Sequence, residues 1–358
     1  MSKFLLRRLI LTIPVLFGIL MVTFFLARAI PGDPCRAVLG ERATDEICDE
    51  FFKRNGLDQP IPVQFAIYMR NVAQGDLGDS FRFGRPVADL LAERLPVTIE
   101  LTLFAMLFAV TFGIPLGILS AYKRNSAVDV GTMVGANIGV SMPVFWLGLM
   151  LAYIFGVLLK DTFLALPPSG RLTSGANPDP FYLVWGLVEN KDQATPFLVF
   201  LSRFNTLNAV LTLNFELLGD ALKHMILPAA AVGTIPLSII ARMTRSSLLE
   251  ALGQDYIRTA RAKGLREFTV VMRHAVRNSL LPVVTIIGLN FGFLVSGAVL
   301  TETIFSLTGI GKTLFDGITS RDYTLVQGVT LVTAVAFVII NLIVDVLYGY
   351  LDPRIRLS

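Results

Sequence analysis

The chain contains long runs without a single charged residue, and these runs constrain its fold more than any other feature. A helix needs about 20 apolar residues to cross the hydrocarbon core of a bilayer. Five uncharged windows come close to that length or exceed it, at 9–27, 101–122, 130–159, 279–301 and 323–344. A sixth window, 225–241, is shorter and contains Pro228 and Pro236, which neighbouring helices can accommodate. The sequence therefore predicts an all-α integral membrane protein with six transmembrane helices.

The composition agrees with a lipid environment. Of the 358 residues, 54% are hydrophobic and 16% are charged, against about 25% charged residues in a soluble domain. This difference excludes an ordinary water-soluble globular protein. Intrinsic disorder is also excluded, because disorder requires low hydrophobicity and high net charge.

The distribution of Lys and Arg around the windows predicts their orientation, since short cytoplasmic loops are enriched in both residues. In a six-helix topology all the basic clusters fall on one side of the membrane. These residues are Lys3, Arg7, Arg8, Lys123, Arg124, Arg258, Arg261, Lys263, Arg266, Arg273, Arg277, Arg354 and Arg356. Both termini are therefore expected in the cytoplasm, and the long segments 31–100 and 160–224 are expected to be extracytoplasmic loops. The first window is longer than the apolar part of a usual signal peptide, so segment 1–30 is interpreted as a retained helix.

Both outer loops are expected to contain short helices. In the first loop Thr44 can cap a helix that ends near Asn55, and Pro86–Leu95 predicts a helix on the membrane surface that Pro96 terminates. Loop structure packed on the bundle is the alternative interpretation of Pro86–Leu95. In the second loop, three apolar runs are too short to span and predict an envelope-side cap, at 181–188, 196–201 and 207–215.

The only cysteines, Cys35 and Cys48, both lie in the first outer loop. Two cysteines cannot form a disulfide-rich scaffold or a four-ligand zinc site. In an oxidising compartment they could pair and close a short loop, which contributes about 3 kcal/mol in the chain-entropy estimate. Two separate small hydrophobic side chains are the alternative.

The sequence contains little that could perform catalysis. The two histidines, His224 and His274, fall on opposite sides of the predicted membrane, so they cannot share a catalytic or metal site. The five clear windows have no ionisable residue at mid-depth, which disfavours a proton-coupled pump. Glu302 follows the fifth window, at a depth where water or headgroups are expected to reach it. Energy for any transport must therefore come from another chain.

The segment from Ser306 to Thr313 resembles a phosphate-binding P-loop, but Ser306 stands where the motif requires its first glycine. No strand precedes the segment, and the topology places it outside, away from cytoplasmic ATP. We expect a glycine-rich turn that leads into a re-entrant or surface helix.

The cytoplasmic segment 242–278 is strongly basic, with eight Lys or Arg residues against three acidic ones. Within it, the run from Asp255 to Gly264 predicts a short helix with small residues on one side and a glycine stop. Such a helix between basic flanks suits insertion into a cleft of a partner protein.

This run and the later sequence Arg277–Pro282 resemble the EAA loop of bacterial ABC importer permeases of the dipeptide, oligopeptide and nickel class. Ala260, Gly264, Leu281 and Pro282 match that motif. Arg258 and Thr259 stand where the general motif has Glu and its first Ala, a form typical of the peptide class. Further matches are spread along the chain, at 4–9, 30–34, 75–80, 141–146, 243–247, 301–306 and 351–354.

The resemblance implies one of two transmembrane subunits of an ATP-driven importer in the bacterial cytoplasmic (inner) membrane. The implied partners are a second permease, two cytoplasmic ATPase subunits, an extracytoplasmic binding protein, the lipid bilayer and a short peptide substrate, with no nucleic acid. ATP and Mg are expected on the ATPase subunits, and this chain is expected to hold no cofactor or metal and to catalyse nothing. The implied coupling residues are Asp255, Tyr256, Arg258, Thr259, Ala260, Arg261, Ala262, Lys263 and Gly264.

The translocation path is predicted from uncharged polar residues in the windows, namely Asn137, Ser141, Thr285, Asn290 and Ser296. Such residues offer hydrogen bonds to a peptide backbone, but they equally often join helices to each other. Nickel chelates and glutathione are the alternative cargoes. A stand-alone channel or secondary carrier is a more distant alternative, and a membrane-embedded enzyme would require a catalytic pair that is not visible.

Overall fold

A computed structural model describes residues 2–29, 32–295 and 298–351 of the chain. All its regular elements within those ranges are helical. The α-helices are α1 (Ser2–Ala29), α2 (Pro34–Leu39), α3 (Asp45–Arg54), α4 (Ile61–Ala73), α5 (Val87–Tyr122), α6 (Ala127–Ser141), α7 (Val144–Tyr153), α8 (Phe181–Val184), α9 (Pro196–Ser202), α10 (Asn205–Leu211), α11 (Phe215–Leu252), α12 (Asp255–Ala262), α13 (Glu267–Thr269), α14 (Val276–Val295), α15 (Val299–Ile304), α16 (Ile310–Thr319) and α17 (Tyr323–Leu351). Ile154–Leu158 and Val270–Ala275 are π-helical, and Lys191–Gln193 is a 3₁₀ turn. The predicted path residue Ser296, the motif residues Ile30 and Pro31, and the C-terminal Arg354 and Arg356 lie outside the described residues.

Five segments of the described chain are long and apolar enough to cross a membrane. They are Ile10–Ala29, Val87–Tyr122, Phe215–Leu252, Glu267–Val295 and Tyr323–Val344. The chain is an all-α integral membrane protein, as predicted. A sixth crossing exists only if α6 and α7 count as one broken span.

The prediction of one continuous helix over 130–159 was wrong. α6 ends at Ser141, α7 begins at Val144, and the helix pair bends by 101°. Pro143 has no N–H to donate, and it forces the preceding Met142 into an extended conformation with φ −79° and ψ 130°. The apolar composition of the window is preserved across this bend, so composition alone could not reveal it.

The prediction that Pro96 terminates a separate surface helix was also wrong. Residues 87–100, assigned from the sequence to the first outer loop, belong to the 36-residue helix α5, which continues through Pro96 and Pro115. Leu91, Val97 and Leu101 on both sides of Pro96 are buried in apolar clusters. Packing against the bundle compensates for the loss of the backbone hydrogen bond that Pro96 cannot form.

Helix α11 is also longer than the window 225–241. It has 38 residues and includes both prolines, so the second outer loop ends at Asn214 rather than at 224. At the other end it continues to Leu252, which shortens the predicted cytoplasmic segment 242–278.

Helices α5 and α11 pack closely because glycines lie between them. A Cβ on Gly117 would lie 2.5 Å from the carbonyl oxygen of Ala241, and one on Gly233 would lie 2.7 Å from that of Ala105. Both distances are too short for any side chain. The central cluster around this pair also takes residues from α14 and from the segment that follows α15.

The predicted cap, which is formed by the segment between α7 and α11, is attached to α5 by one buried carboxylate. Glu100, 2% exposed, accepts hydrogen bonds from Arg171 Nη2 at 2.7 Å and from Thr206 N and Oγ1 at 2.9 and 2.7 Å. Helices α8, α9 and α10 form this cap. In the first outer loop, a disulfide joins Cys35 on α2 to Cys48 on α3.

Candidate functional site

Helix α12 lies directly after α11 and is amphipathic. Its inner face rests on the bundle through Ile257, which is fully buried, and Ala260, which is 7% exposed. Lys263 caps the helix and Gly264 follows with φ +77°, a conformation that favours glycine. The helix is therefore held in one orientation.

The cluster beneath α12 joins it to the ends of several membrane helices. Besides Ile257 and Ala260 it contains residues of α5, α11, the π-helical segment and α14, namely Ala121, Leu248, Ala251, Val270, Val271, Ala275 and Val276. A force on α12 is thus applied to three long helices together.

The face of α12 that points away from the bundle is exposed to solvent. Eight of the nine predicted coupling residues are on it or at its end, and only Ala260 faces the bundle. Sequence reasoning did not include Ile257, although its spacing of three residues from Ala260 is that of one helix face. Two large apolar side chains follow on the same segment, Leu265 at 40% and Phe268 at 69% exposure. Exposed apolar side chains beside a charged surface are typical of a protein interface.

The charges on this surface are partly organised. Arg258 Nη1 lies 3.2 Å from Asp255 Oδ1, and Arg261 donates two hydrogen bonds to Glu267, at 2.7 and 3.1 Å. The hydrogen bonds to the Glu267 carboxylate raise the pKa of Arg261. Lys263 and Arg266 are also exposed, which leaves the surface basic. We call the exposed residues of 255–268 the basic surface.

A buried ion pair stiffens the bundle above the basic surface. Arg245 on α11 donates to both carboxylate oxygens of Asp129 on α6, at 2.8 and 2.9 Å, and Asp129 is 4% exposed. The same carboxylate accepts a hydrogen bond from Ser120 on α5. Neither residue of this pair was a predicted site residue, although Ser126 followed three residues later by Asp129 is a helix-capping signal.

The predicted path residues lie on two different helices. Asn137 and Ser141 are exposed on α6, whereas Thr285 and Asn290 are half-buried on α14. The side chains of Thr285 and Asn290 donate to carbonyl oxygens of their own helix, at Leu281 and Ile286. Within the described residues no hydrogen bond brings the two pairs together.

One residue that contacts Asn137 was omitted from the predicted path. Arg242 on α11 is exposed and donates from Nη2 to Asn137 Oδ1 at 2.7 Å. A charged residue directly after an apolar window was the available signal. Because a guanidinium is costly in lipid, Arg242 must face water or protein.

Two family models match the chain. The model described as "binding-protein-dependent transport system inner membrane component" matches residues 113–357, and the N-terminal membrane component of such systems matches residues 1–102. The chain belongs to this family. It is therefore a membrane component of a transport system, located in the inner membrane.

Full-length relatives agree with this assignment. A dipeptide transport system permease protein of Alkalihalophilus pseudofirmus is 45% identical over 357 residues, which cover 99% of this chain and 100% of the relative. A di/tripeptide transport system permease protein of Pseudomonas aeruginosa is 46% identical over 360 residues, and a dipeptide transport system permease protein of Escherichia coli is 44% identical over 363 residues. Both alignments cover 99% of each chain.

The P-loop-like segment of this family member forms a turn that leads into α16. Ser306 has φ +53°, and the first turn of α16 meets the carboxylate of Glu302, which accepts from Lys312 N at 2.8 Å and from Thr98 Oγ1 at 2.7 Å. A protein carboxylate thus fills the place that a phosphate would need at this helix start.

The expectation that water or headgroups reach Glu302 was wrong. Its side chain is fully buried, and burial raises the pKa of Glu302. Its hydrogen bonds to α5 and α16 lock the connection between α14 and α17 onto the bundle.

Proposed function

We propose that this chain is one of two transmembrane subunits of an ATP-driven importer for short peptides. The observation that carries the proposal is the basic surface, an exposed amphipathic helix held on the ends of α5, α11 and α14. Peptides are the proposed cargo because the full-length relatives carry the names of dipeptide and di/tripeptide permeases. Nickel chelates and glutathione have no support from those names.

The proposed mechanism is mechanical. Each of two cytoplasmic ATPase subunits receives a short helix in a surface groove, and α12 is the helix that this chain supplies. ATP binding closes the ATPase pair and moves α12, which turns the bundle from inward-facing to outward-facing. Hydrolysis of ATP, with its Mg, takes place on the partner chains and resets the bundle.

The orientation follows from the same reasoning. The basic surface faces the cytoplasm, both termini lie on that side, and the cap of α8, α9 and α10 faces the envelope, where a binding protein delivers the peptide. α6 is proposed to contact the second permease, because Gly131 and Gly135 on it have no neighbour within 4 Å in this chain. Small residues allow close approach between membrane helices.

The path is proposed to run along α6 and α11, where Asn137, Ser141 and Arg242 form a polar strip. Arg242 would attract the carboxylate of a passing peptide. Thr285 and Asn290 on α14 are proposed as a second polar wall.

Co-purification tests the coupling assignment. The tagged chain is isolated from its native membrane with the exposed charges reversed by Arg258→Glu and Lys263→Glu, which leaves Ile257 and Ala260 in place. We expect wild type to bring down a second permease and ATPase subunits, and the double variant to lose the ATPase subunits alone. Lys53→Glu with Arg54→Glu on α3 is the matched control, expected to behave as wild type.

Two results would count against the proposal in different ways. If the double variant keeps its ATPase subunits, the basic surface is not the coupling site. If wild type comes down alone, the importer assignment fails, and a stand-alone channel or secondary carrier becomes the better account.

A further inference from the structure

A cavity of about 230 Å³ lies between α1, α4, α17 and the loop residues 76–79 that follow α4. It is separate from the basic surface and from the strip on α6 and α11. Its lining includes Arg28, Tyr68 and Gln327, three side chains that donate hydrogen bonds.

Two of these donors have no partner in the described chain. Gln327 is 3% exposed and its Nε2 is buried without an acceptor, and the buried hydroxyl of Tyr68 also lacks a hydrogen bond. A buried polar group without a partner costs about 1–3 kcal/mol. Both side chains line the cavity, so a turn of each about its terminal bonds would present its unpaired donor to a molecule bound there.

The third donor adds positive charge. The Arg28 guanidinium lies 3.5 Å from the centre of the Phe24 ring, and it donates to Gln64 Oε1 and to the Phe24 carbonyl oxygen. No carboxylate of the described residues forms an ion pair with it. Tyr68 stacks on the same Phe24 ring, with centroids 5.7 Å apart.

The remaining ionisable groups fit this arrangement. Burial raises the pKa of Tyr68 to about 12, although Arg28 acts in the opposite direction, so the hydroxyl remains a donor at neutral pH. Asp76 and Asp79 also line the cavity but are exposed to solvent, and Asp76 accepts a hydrogen bond from Gly78 N at 2.8 Å. Water screens these two charges at the cavity mouth, where an ammonium group would also be favoured.

We infer that this cavity binds a small carboxylate, held by Arg28, Tyr68 and Gln327. A carboxylate offers two oxygens and about four acceptor positions, which matches a guanidinium, a hydroxyl and an amide N–H₂. A free small acid and the C-terminal end of a short peptide share this chemistry. The inference does not depend on the proposed importer function, since it rests on the cavity and its donors alone.

Saturation-transfer NMR on the full chain, purified in nanodiscs with the chains that accompany it, tests the inference. The probes are acetate, dialanine and dialanine amide. We expect saturation transfer to acetate, competition by dialanine if the peptide carboxylate also fits, and no competition by the amide. Competition by dialanine amide would overturn carboxylate recognition.

Variants then locate the binding. Tyr68→Phe removes one hydroxyl and leaves the ring in place. We expect this variant and Gln327→Leu each to weaken acetate binding about tenfold or more. Tyr153→Phe on α7 is the matched control and should bind as wild type. Thermal unfolding of each variant checks its fold. Absence of acetate binding to wild type, or unchanged binding in a folded Tyr68→Phe variant, would overturn the inference.

Discussion

Arg242 and Arg245 lie less than one turn apart on α11 but meet different surroundings. Arg245 is neutralised by Asp129 through two hydrogen bonds, whereas the partner of Arg242 among the described residues is the neutral amide of Asn137. Arg245 therefore has a structural role, whereas the charge of Arg242 is not neutralised and can attract an anionic group. Glu302 is a third case, because its carboxylate is buried and meets backbone and hydroxyl donors instead of a cation.

We predict that Arg242→Gln raises the KM for dialanine uptake about tenfold, since an interaction with a charged group contributes about 1.5–3 kcal/mol. Arg242→Lys should restore part of the affinity. Uptake of labelled dialanine into cells or proteoliposomes measures both. Arg54→Gln, which removes an exposed arginine on α3, is the control for charge alone. An unchanged KM in Arg242→Gln would remove Arg242 from the path.

We predict that Glu302→Ala lowers the free energy of unfolding by about 3 kcal/mol, because it leaves the buried Thr98 hydroxyl and Lys312 N–H without an acceptor. Thermal unfolding of the purified chain measures the loss. Glu189→Ala, in an exposed turn, should change stability by less than about 0.5 kcal/mol. Equal stability of the two variants would show that Glu302 does not lock α16 to α5.

At the scale of elements, the protein depends on close packing of long helices around prolines and glycines. Pro96, Pro115, Pro228 and Pro236 lie inside α5 and α11 without breaking them, because neighbouring helices hold both sides. Pro143, in contrast, separates α6 from α7. The packing around a proline therefore decides whether the helix continues through it or ends before it.

We predict that Gly117→Ala destabilises the chain by about 2 kcal/mol, because its new Cβ would overlap the Ala241 carbonyl oxygen on α11. Gly219→Ala, at a helical position with no neighbour within 4 Å, should be neutral or gain up to about 1 kcal/mol from helix propensity. Thermal unfolding of both variants measures these changes in stability. If Gly117→Ala is as stable as Gly219→Ala, the two helices are not held at the distance described.

For the whole molecule, the described elements form a bundle with a different structure at each end. One end carries the basic surface on the cluster of α5, α11 and α14. The other carries the cap anchored by Glu100 and the lobe with the Cys35–Cys48 disulfide. This polarity suits a protein that receives substrate on one side of a membrane and is driven from the other.

We predict this sidedness to be measurable with a membrane-impermeant maleimide, in a background where Cys35 and Cys48 are replaced by Ser. In spheroplasts, Asn190→Cys should be labelled directly, and Lys263→Cys only after the membrane is permeabilised. Labelling of Lys263→Cys in intact spheroplasts would contradict the proposed orientation.

Much of the architecture could be predicted from local sequence. The apolar windows predicted five of the membrane-spanning helices, and the run at 255–264 predicted the short helix α12, because composition, periodicity and short motifs are local properties. Window edges were less predictable. The helical residues 215–224 and 242–252 are too polar for a hydropathy window, yet they continue α11.

The sequence by itself determined that this chain is an all-α membrane protein with a short helix within 255–264. Only the tertiary structure decided the bend at Pro143, the Asp129–Arg245 pair, the contact between Thr98 and Glu302, and the cavity of Arg28, Tyr68 and Gln327. The two polar pairs join residues 116 and 204 positions apart, and the cavity joins residues of α1, α4 and α17, so the local pattern around one partner does not specify the others. Lipid favours any apolar helix alike, whereas the pairing of buried polar groups depends on which helices become neighbours.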